Sequence, residues 1–266
     1  MRYWLRAATL TIGSRRYNLD DLAFSFETDQ DDKGLPICKL EVTNLARFTR
    51  ASIQKGVPIV LAAGYRDDAG TIFVGKVSEV SHSPGDVDVV TKITAADSVD
   101  AWLRGNVNKT YKGPTTAQEV LDDLLAIFGV EVALCNLAVN KEYPRGRVCV
   151  DKLKDVIGAI VKECGSKLII RNSQVVIKLP EEGVTSGYLL SPETGLLKSS
   201  ESKDAQSTAT DEDKTIKHEC LLNYHLGVGD RVVIADSQGR GEYLIKAVKH
   251  AGSRDGDWKT TIEVEP

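Results

Sequence analysis

The feature that most constrains the fold of this chain is a β-meander pattern that occurs twice. The stretch from Lys55 to His82, KGVPIVLAAGYRDDAGTIFVGKVSEVSH, has the pattern of a strand, a tight glycine-containing turn and a second strand. A similar stretch, LGVGDRVVIADSQGRGEYLIKAVKH, runs from Leu226 to His250. Each copy continues through a Gly-Asp turn into a third strand, so each predicts an antiparallel three-stranded unit.

Setting Gly70 against Gly241 aligns the two copies over all three strands. Two origins of the similarity are open at this point. Convergence is one, because turn chemistry and two-residue periodicity make all antiparallel meanders somewhat alike. Duplication of a β-unit within the chain is the other. The aligned positions are Gly56 with Gly229, Gly70 with Gly241, Ile72–Val74 with Tyr243–Ile245, Val77 with Val248, Gly85-Asp86 with Gly256-Asp257, and, after a two-residue slip, Lys92–Thr94 with Thr261–Glu263.

The rest of the chain predicts a mainly β protein with an α+β insert. Stretches such as LAFSFETD and ICKLEVTNL alternate apolar and polar residues, which is typical of half-buried strands. Farther on, two segments have helical spacing, and two short strands, KLIIR and QVVIKL, follow them. We therefore predict two related small antiparallel β-barrels linked by a helix-containing middle domain. The helical apolar positions are Val120, Leu121, Leu124, Leu125 and Phe128, then Leu153, Val156, Ile157, Ile160 and Val161.

Shifts in composition along the chain set the predicted domain boundaries. The first barrel is predicted over 1–107 and the α+β middle domain over 108–182. Residues 183–217 contain the polar run KSSESKDAQSTATDEDKT, which predicts a linker or loop. The second barrel is predicted over 218–266 and could be completed by strands from elsewhere in the chain.

Bulk composition excludes several classes of protein. The net charge of −4 argues against binding to duplex DNA or to anionic membranes, which favour a basic surface. No apolar run reaches membrane-spanning length and the N-terminus lacks a secretion-signal pattern, so we expect synthesis in a cytoplasm and no membrane partner. The cysteines form no C-x-x-C pair and predict free, buried or half-buried thiols in a reducing compartment: Cys38, Cys135, Cys149, Cys164 and Cys220.

The residue patterns of known catalytic and metal sites do not occur in the sequence. It has no G-x-S-x-G, phosphate-loop or G-x-G-x-x-G motif. Adjacent acidic pairs such as Asp67-Asp68 would point to opposite faces of a strand and could not act jointly as acid and base. We therefore predict no enzymatic activity, no catalytic residue, no cofactor and no metal. The histidines, which form neither H-x-H nor H-E-x-x-H, are His82, His218, His225 and His250.

Several motifs, in their order and spacing, resemble the baseplate hub proteins of phage tails. Members of that family carry an Asn-Leu pair after a strand, then a Gly-led strand ending in Ala-Gly-Tyr, then a strand with an F-x-G step. The helix-forming segment KGPTTAQEVLDDLLAIFGV also fits the family. The matching positions are Asn44, Leu45, Gly56, Gly64, Tyr65 and Gly75 in the first β region, and Gly229, Asp230, Gly241 and Trp258 in the second.

The resemblance implies a structural role in a contractile or related tail. Such proteins form a homotrimeric, pseudo-six-fold ring that joins the tail tube to a central spike and contacts other baseplate proteins. The expected location is the tail baseplate of the virion, after assembly in the host cytoplasm, and no stable binding of nucleic acid is expected. We also predict that the loop from Lys198 to Thr215 orders only when a neighbouring subunit or partner packs on it.

Two other functions stay open. A ligand-binding module with paired barrels, for oligonucleotides or sugars, would need an exposed aromatic cluster. The three tryptophans, Trp4, Trp102 and Trp258, are far apart in the sequence, which does not favour it. A cell-wall hydrolase would need a constellation of His with Asp or Glu that the sequence does not suggest.

Overall fold

The computed structural model describes residues 5–32, 35–84, 88–96, 105–128, 131–171, 174–179, 184–202, 215–236 and 239–265. The chain divides into two compact units. Unit 1 comprises residues 1–97 and 183–266, and unit 2 comprises residues 98–182. Strands dominate the described residues and a helix-containing segment interrupts the β regions, so the prediction of a mainly β protein with an α+β insert is confirmed.

Unit 1 is built on a single 13-stranded sheet to which both β regions contribute. The first region consists of β1 (Arg6–Ile12), β2 (Arg15–Asn18), β3 (Phe24–Asp31), β4 (Ile37–Thr43), α1 (Arg47–Ser52), β5 (Pro58–Tyr65), β6 (Asp68–Pro84) and β7 (Val89–Ala96). The second region consists of β15 (Val184–Leu190), a 3₁₀ turn (Pro192–Thr194), β16 (Leu196–Ser202), β17 (Thr215–Leu221), β18 (Asp230–Asp236), β19 (Gly239–Ser253) and β20 (Trp258–Glu265).

Alternating apolar residues place the core of unit 1 on one face of its strands. In β1, Leu10 and Ile12 are buried while the residue between them is not, and Ile59 and Leu61 repeat that pattern in β5. This two-residue period is the one that the sequence analysis used, and it buries one face of a half-exposed strand. Trp258 packs into the same core cluster as the first region, so the two regions share apolar packing.

The two β regions have the same strand arrangement. The first has the spatial order β3-β4-β7-β6-β5, and the second has β16-β17-β20-β19-β18, with all neighbours antiparallel. Five consecutive strands of one region therefore correspond, in the same chain order, to five consecutive strands of the other. Beyond this shared set, β1 pairs antiparallel with β5, whereas β15 pairs parallel with β18.

The structure corrects one part of the sequence alignment of the two copies. Val77 faces Ala95 on β7, and the residue at the same ladder position in the second copy is Ile245, which faces Val264. Both long strands have a register irregularity just after this point. The true counterpart of Val248 is therefore Val80, three residues from the predicted match. The segment before the irregularity is shorter in β19 than in β6, and an alignment anchored on Gly70 and Gly241 misses that difference.

The structure also corrects the prediction of a linker over 183–217. Strands β15 and β16 lie within this segment, and β17 begins at Thr215. Ladder hydrogen bonds join backbone groups, so β16 can pair with β17 although its sequence, LLKSSES, is mostly polar. Residues 198–202 of the loop that was predicted to order only against a partner are thus already in a strand of the single chain. Residues 203–214 lie outside the described residues.

Unit 2 contains the two predicted helices, α2 (Ala117–Phe128) and α3 (Leu153–Glu163). The predicted apolar face of α3 is buried at all five positions, and that of α2 at the four positions whose side chains are described, Val120, Leu121, Leu124 and Leu125. The strands are β8 (Asn106–Tyr111), β9 (Thr115–Thr116), β10 (Glu131–Cys135), β11 (Glu142–Tyr143), β12 (Arg147–Lys152), β13 (Lys167–Arg171) and β14 (Gln174–Lys178), in three small sheets.

Other structural predictions have mixed outcomes. The five cysteines are free; Cys135 is half-buried and the other four are buried, as predicted. Burial raises the pKa of the Cys220 thiol to about 12. The segment after Asn44-Leu45 forms helix α1. In the described part of the chain, none of the helices combines the length and the apolar character that crossing a membrane requires.

Candidate assembly interface

Backbone hydrogen bonds outside the main ladders show that the two copies are built alike. Gly56 donates its N–H to the carbonyl of Val77 at 2.8 Å, and Gly229 donates to Ile245 at the same distance. Both glycines have left-handed φ values, +91° and +84°, which a residue with a Cβ adopts only with strain. These two motif positions therefore start corresponding strands, β5 and β18, with the same local conformation.

Two further hydrogen bonds recur at the ends of β4 and β17. Thr43 donates to the carbonyl of Ala23 at 3.0 Å, and Leu221 donates to that of Gly195 at 2.8 Å. The next residue repeats the pattern: Asn44 donates to Val89 at 2.9 Å and Leu222 to Trp258 at 3.3 Å. The agreement extends to individual non-ladder bonds, which general meander geometry does not require, and it therefore favours duplication over convergence.

A histidine–threonine contact also recurs at corresponding positions. His82 on β6 faces Thr91 on β7, with His Nδ1 and Thr Oγ1 3.3 Å apart. His250 on β19 faces Thr260 on β20, with the same atoms 2.9 Å apart. Both threonines are fully buried. This pair is not visible when Gly70 is aligned with Gly241, because that alignment is displaced by three residues at this strand.

The two β regions are joined edge to edge within the chain by β3 and β19. Seven residue pairs, from Ala247 with Asp31 to Ser253 with Ser25, form this antiparallel contact. It covers His250, whose side chain is 6% exposed, and the His250 N–H donates to Thr28 Oγ1 at 3.4 Å. The contact makes one continuous sheet of the two copies.

Side chains reinforce the join on both sides of it. Arg6 on β1 donates from Nη1 to the carbonyls of Ser253, Arg254 and Gly256, at 3.2, 3.2 and 2.9 Å, in the turn between β19 and β20. Its guanidinium also lies 5.6 Å from the ring centroid of Trp258. Trp258 in turn meets the ring of Phe26 edge-on at 5.7 Å, a favourable aromatic geometry.

The remaining motif positions serve backbone geometry. Asn44, at φ 57°, accepts a hydrogen bond from the Val89 N–H through Oδ1 at 3.1 Å and donates from Nδ2 to Asp88 at 2.7 Å. A Cβ at Gly64 would lie 2.3 Å from the carbonyl oxygen of Asp68, and one at Gly75 would lie 2.3 Å from that of Ala96. The two strands thus approach their neighbours too closely for a side chain.

Four motif positions are left to place. Leu45 and Tyr65 are buried in the core of unit 1. The buried Asp230 accepts a hydrogen bond from the Gly227 N–H at 2.9 Å and closes the turn before β18. The three atoms nearest to a Cβ at Gly241 all belong to the flexible side chain of Tyr243, so this structure does not explain that glycine. The ten motif positions do not converge on one cleft among the described residues; they support turns, strand starts and the join.

A pocket of about 240 Å³ lies in unit 1, where the β5–β6 turn meets the segment before β18. His225 Nε2 lies 3.2 Å from Asp68 Oδ1, and the Tyr224 and Tyr188 rings lie 3.8 and 4.9 Å from the His225 ring. Both tyrosine rings pack against His225, so His225 occupies ring surface that a base or sugar would need for stacking. Of the tryptophans considered for such a role, Trp258 is buried, and Trp4 and Trp102 lie outside the described residues.

One serine–histidine contact has the distance of a catalytic pair. Ser199 Oγ on β16 lies 2.9 Å from Nδ1 of the buried His218, and burial lowers the pKa of His218. In the described part of the chain His218 Nε2 has no hydrogen-bond partner, so no acid orients the ring as hydrolases require. The two residues occupy the positions that Phe26 and Leu40 hold in the first copy, where the contact is apolar. Among the described residues, no cluster of His, Cys, Asp or Glu could hold a metal ion.

No protein-family model matches this chain, and no curated protein does. The fold is nevertheless similar to that of several solved structures. The tail protein from Neisseria meningitidis MC58 aligns with a TM-score of 0.72 at 9% identity, over 99% of this chain and 97% of that one. The 43 kDa tail protein of prophage MuSo2 from Shewanella oneidensis aligns with a TM-score of 0.73 at 10% identity, over 97% and 98% of the two chains.

A third solved structure with a similar fold is that of the E. coli c3393 protein. It is a component of the type VI secretion system with structural similarity to the T4 bacteriophage tail proteins gp27 and gp5. It aligns with a TM-score of 0.66 at 14% identity, over 97% of this chain and 76% of that one. At such identities the similarity establishes the fold. The resemblance to tail hub proteins that the sequence predicted is confirmed at that level: this chain has the fold of phage tail proteins and of a type VI secretion component.

Proposed function

We propose that this chain is the structural hub of a phage-type tail or a related contractile particle. It forms a homotrimeric ring with pseudo-six-fold symmetry, and the ring joins the tail tube to the central spike. The particle is assembled in the host cytoplasm, and the hub then resides in the tail baseplate. The tube protein, the spike protein and other baseplate proteins are the expected partners.

The observation that carries this proposal is the duplicated five-strand arrangement within one chain. Two similar units in each chain give a trimer six similar units, which is how a three-fold assembly can match a six-fold one. The join of β3 with β19 is a contact between unlike edges, since each copy uses a different strand. Repeated contacts of this heterologous kind close into rings when the rotation between units permits.

The charge of the chain suits a wall past which nucleic acid must move without binding. The formal net charge is −4, and positively charged stripes are what give proteins their affinity for the phosphate backbone. We also propose that the role is structural and not enzymatic. The apolar counterpart of the Ser199–His218 pair in the first copy supports this, because it indicates a packing position whose side chains have changed.

Light scattering of the purified full chain across concentration, followed by negative-stain imaging, tests the proposal. We expect a particle of three chain masses whose images show a ring with six peripheral lobes. Co-expression with the genes for the neighbouring tail proteins is the second arm, because an obligate ring can need its partners. A chain that stays monomeric at high concentration and also after co-expression would refute the trimeric hub.

A further inference from the structure

The intrachain join provides a template for a contact between chains. The second half of strand β19 pairs with β20 on one side. On the other side, β18 pairs with the first half of β19 and β3 pairs with the second half. The counterpart of β19 is β6. The second half of β6 pairs with β7 on one side, and β5 pairs with β6 on the other side only as far as Lys76. Past Lys76, among the described residues, the β5 side of β6 carries no strand. In the part of the chain that the structure describes, the position that β3 occupies in the second copy is therefore open in the first.

The open edge of β6 is visible in the exposure of its side chains. His250 is 6% exposed because β3 covers it, whereas its counterpart His82 is exposed, together with Ser81 and Ser83. The two histidines share the same threonine contact within their own copies. The difference between them is therefore the missing strand and not a different local structure.

The counterpart of β3 supplies the complementary edge. Strand β3 pairs with β4 through Phe26 and Leu40, and β16 pairs with β17 through Ser199 and His218 at the same ladder positions. β3 has a second neighbour, β19, on its other side. Within the part of the chain that the structure describes, β16 has β17 alone. Lys198, Ser199 and Ser200 are exposed there.

We propose that β16 of one chain pairs antiparallel with the second half of β6 of the next chain, in the register that joins β3 to β19. This proposal rests on the proposed ring and specifies its contact. Because His250 faces Thr28, and Glu201 holds the ladder position of Thr28, Glu201 of one chain stands opposite His82 of the next. Ser200 then stands opposite Ser83, and Ser202 opposite Ser81.

The occupant is a second copy of this chain, because the chain itself contains both edges and a folded example of their pairing. Each chain has one edge of each kind, so the contact is head to tail. In a closed ring every chain therefore contributes β16 to one neighbour and β6 to the other. Unpaired backbone groups along an edge strand bind an added strand readily, which supplies the affinity. In the ring, intrachain and interchain joins alternate, and every copy has a neighbour on each edge.

Paired cysteines test the register. In the full chain we would combine His82→Cys with Glu201→Cys and oxidise gently, since directly opposed residues in an antiparallel ladder have the Cα spacing that disulfides accept. We expect interchain disulfides that give a ladder on non-reducing gels, ending at the number of chains in the ring. His82 is exposed and both positions lie on strands at the edge of a copy, and far-UV circular dichroism would verify that the variant folds.

The matched control is His82→Cys with Ser200→Cys. A shift of one residue turns the second thiol to the other face of the sheet, so this pair should lose the ladder. Light scattering of the same samples separates the two proposals. An oligomer without cross-links, or one cross-linked equally in the control, overturns the register while the ring stands. A monomer without cross-links overturns both, and an intrachain disulfide overturns the pairing between chains.

Discussion

Substitution of Gly75 by alanine tests whether close backbone packing explains the F-x-G step in β6. An ideal Cβ at this position lies 2.3 Å from the carbonyl oxygen of Ala96, 2.8 Å from its carbonyl carbon and 2.6 Å from the Phe73 ring. Two of these three atoms belong to the backbone of β7, which cannot move aside as a side chain can. The strands must therefore separate by roughly 1 Å in a close-packed sheet.

The expected loss in free energy of unfolding depends on whether the added Cβ meets backbone or side-chain atoms. Overpacking a well-packed site costs about 1–3 kcal/mol, and a backbone obstacle places Gly75→Ala toward the upper end, at about 2–3 kcal/mol. For a unit of this size each kcal/mol lowers Tm by about 2–4 °C, so we expect a loss of roughly 5–10 °C. Urea unfolding followed by far-UV circular dichroism, with a thermal scan, measures both quantities.

Gly158→Ala is the matched control, because it makes the same change in the interior of α3 with nothing within 4 Å of the added Cβ. Alanine favours a helix over glycine, so this variant should gain about 0.5–1 kcal/mol. A loss of less than about 0.5 kcal/mol for Gly75→Ala would contradict close backbone packing at this position, since a loss of that size is within the range of surface substitutions without a structural cause.

Three other predictions follow. Hydrogen bonds from Arg147 lower the pKa of Glu163 to about 2. Glu163→Gln should therefore lower the free energy of unfolding by about 1–2 kcal/mol at neutral pH, after discounting for solvent screening. In acid-unfolding curves this difference from the parent chain should vanish as pH falls from about 4.5 to 2. Asn44→Ala should lower Tm more than Asn44→Gly, since both lose the side-chain hydrogen bonds but only alanine is strained at φ 57°. His82→Glu should weaken ring association up to about fivefold per contact, because in the proposed register it places a second carboxylate opposite Glu201, whereas His82→Gln should not weaken it. Equal association of the two variants, measured by light scattering, would contradict the register.

Much of the fold could be predicted because local periodicity determined it. The buried face of α3 and the alternating strands β1 and β5 follow from apolar residues at helical and two-residue spacing. The duplication was also detectable, because turn glycines at left-handed φ, such as Gly56 and Gly229, leave a mark in the sequence.

Strand β16 and the register of β6 against β19 could not be predicted, for a different reason. The polar sequence of β16 carries no apolar period, and it is a strand because β17 offers backbone groups to pair with. The segment before the irregularity that both strands share is three residues shorter in β19 than in β6, and no turn residue marks that difference, so the alignment was displaced by three positions. The recurring His–Thr contact was hidden for the same reason.

The side chains of β3 and β16 differ because the two edge strands are paired at different stages of folding and assembly. β3 is covered by β19 as soon as the chain folds, so it can carry Phe26, which pairs with Gly252 and is 4% exposed. β16 must wait, under the proposed pairing, for another chain, and an apolar edge left open in that interval would aggregate. The polar Ser199 and Ser200 at its edge fit that interval. The copies would thus keep one backbone design and differ in side chains where a contact within the chain is replaced by a contact between chains.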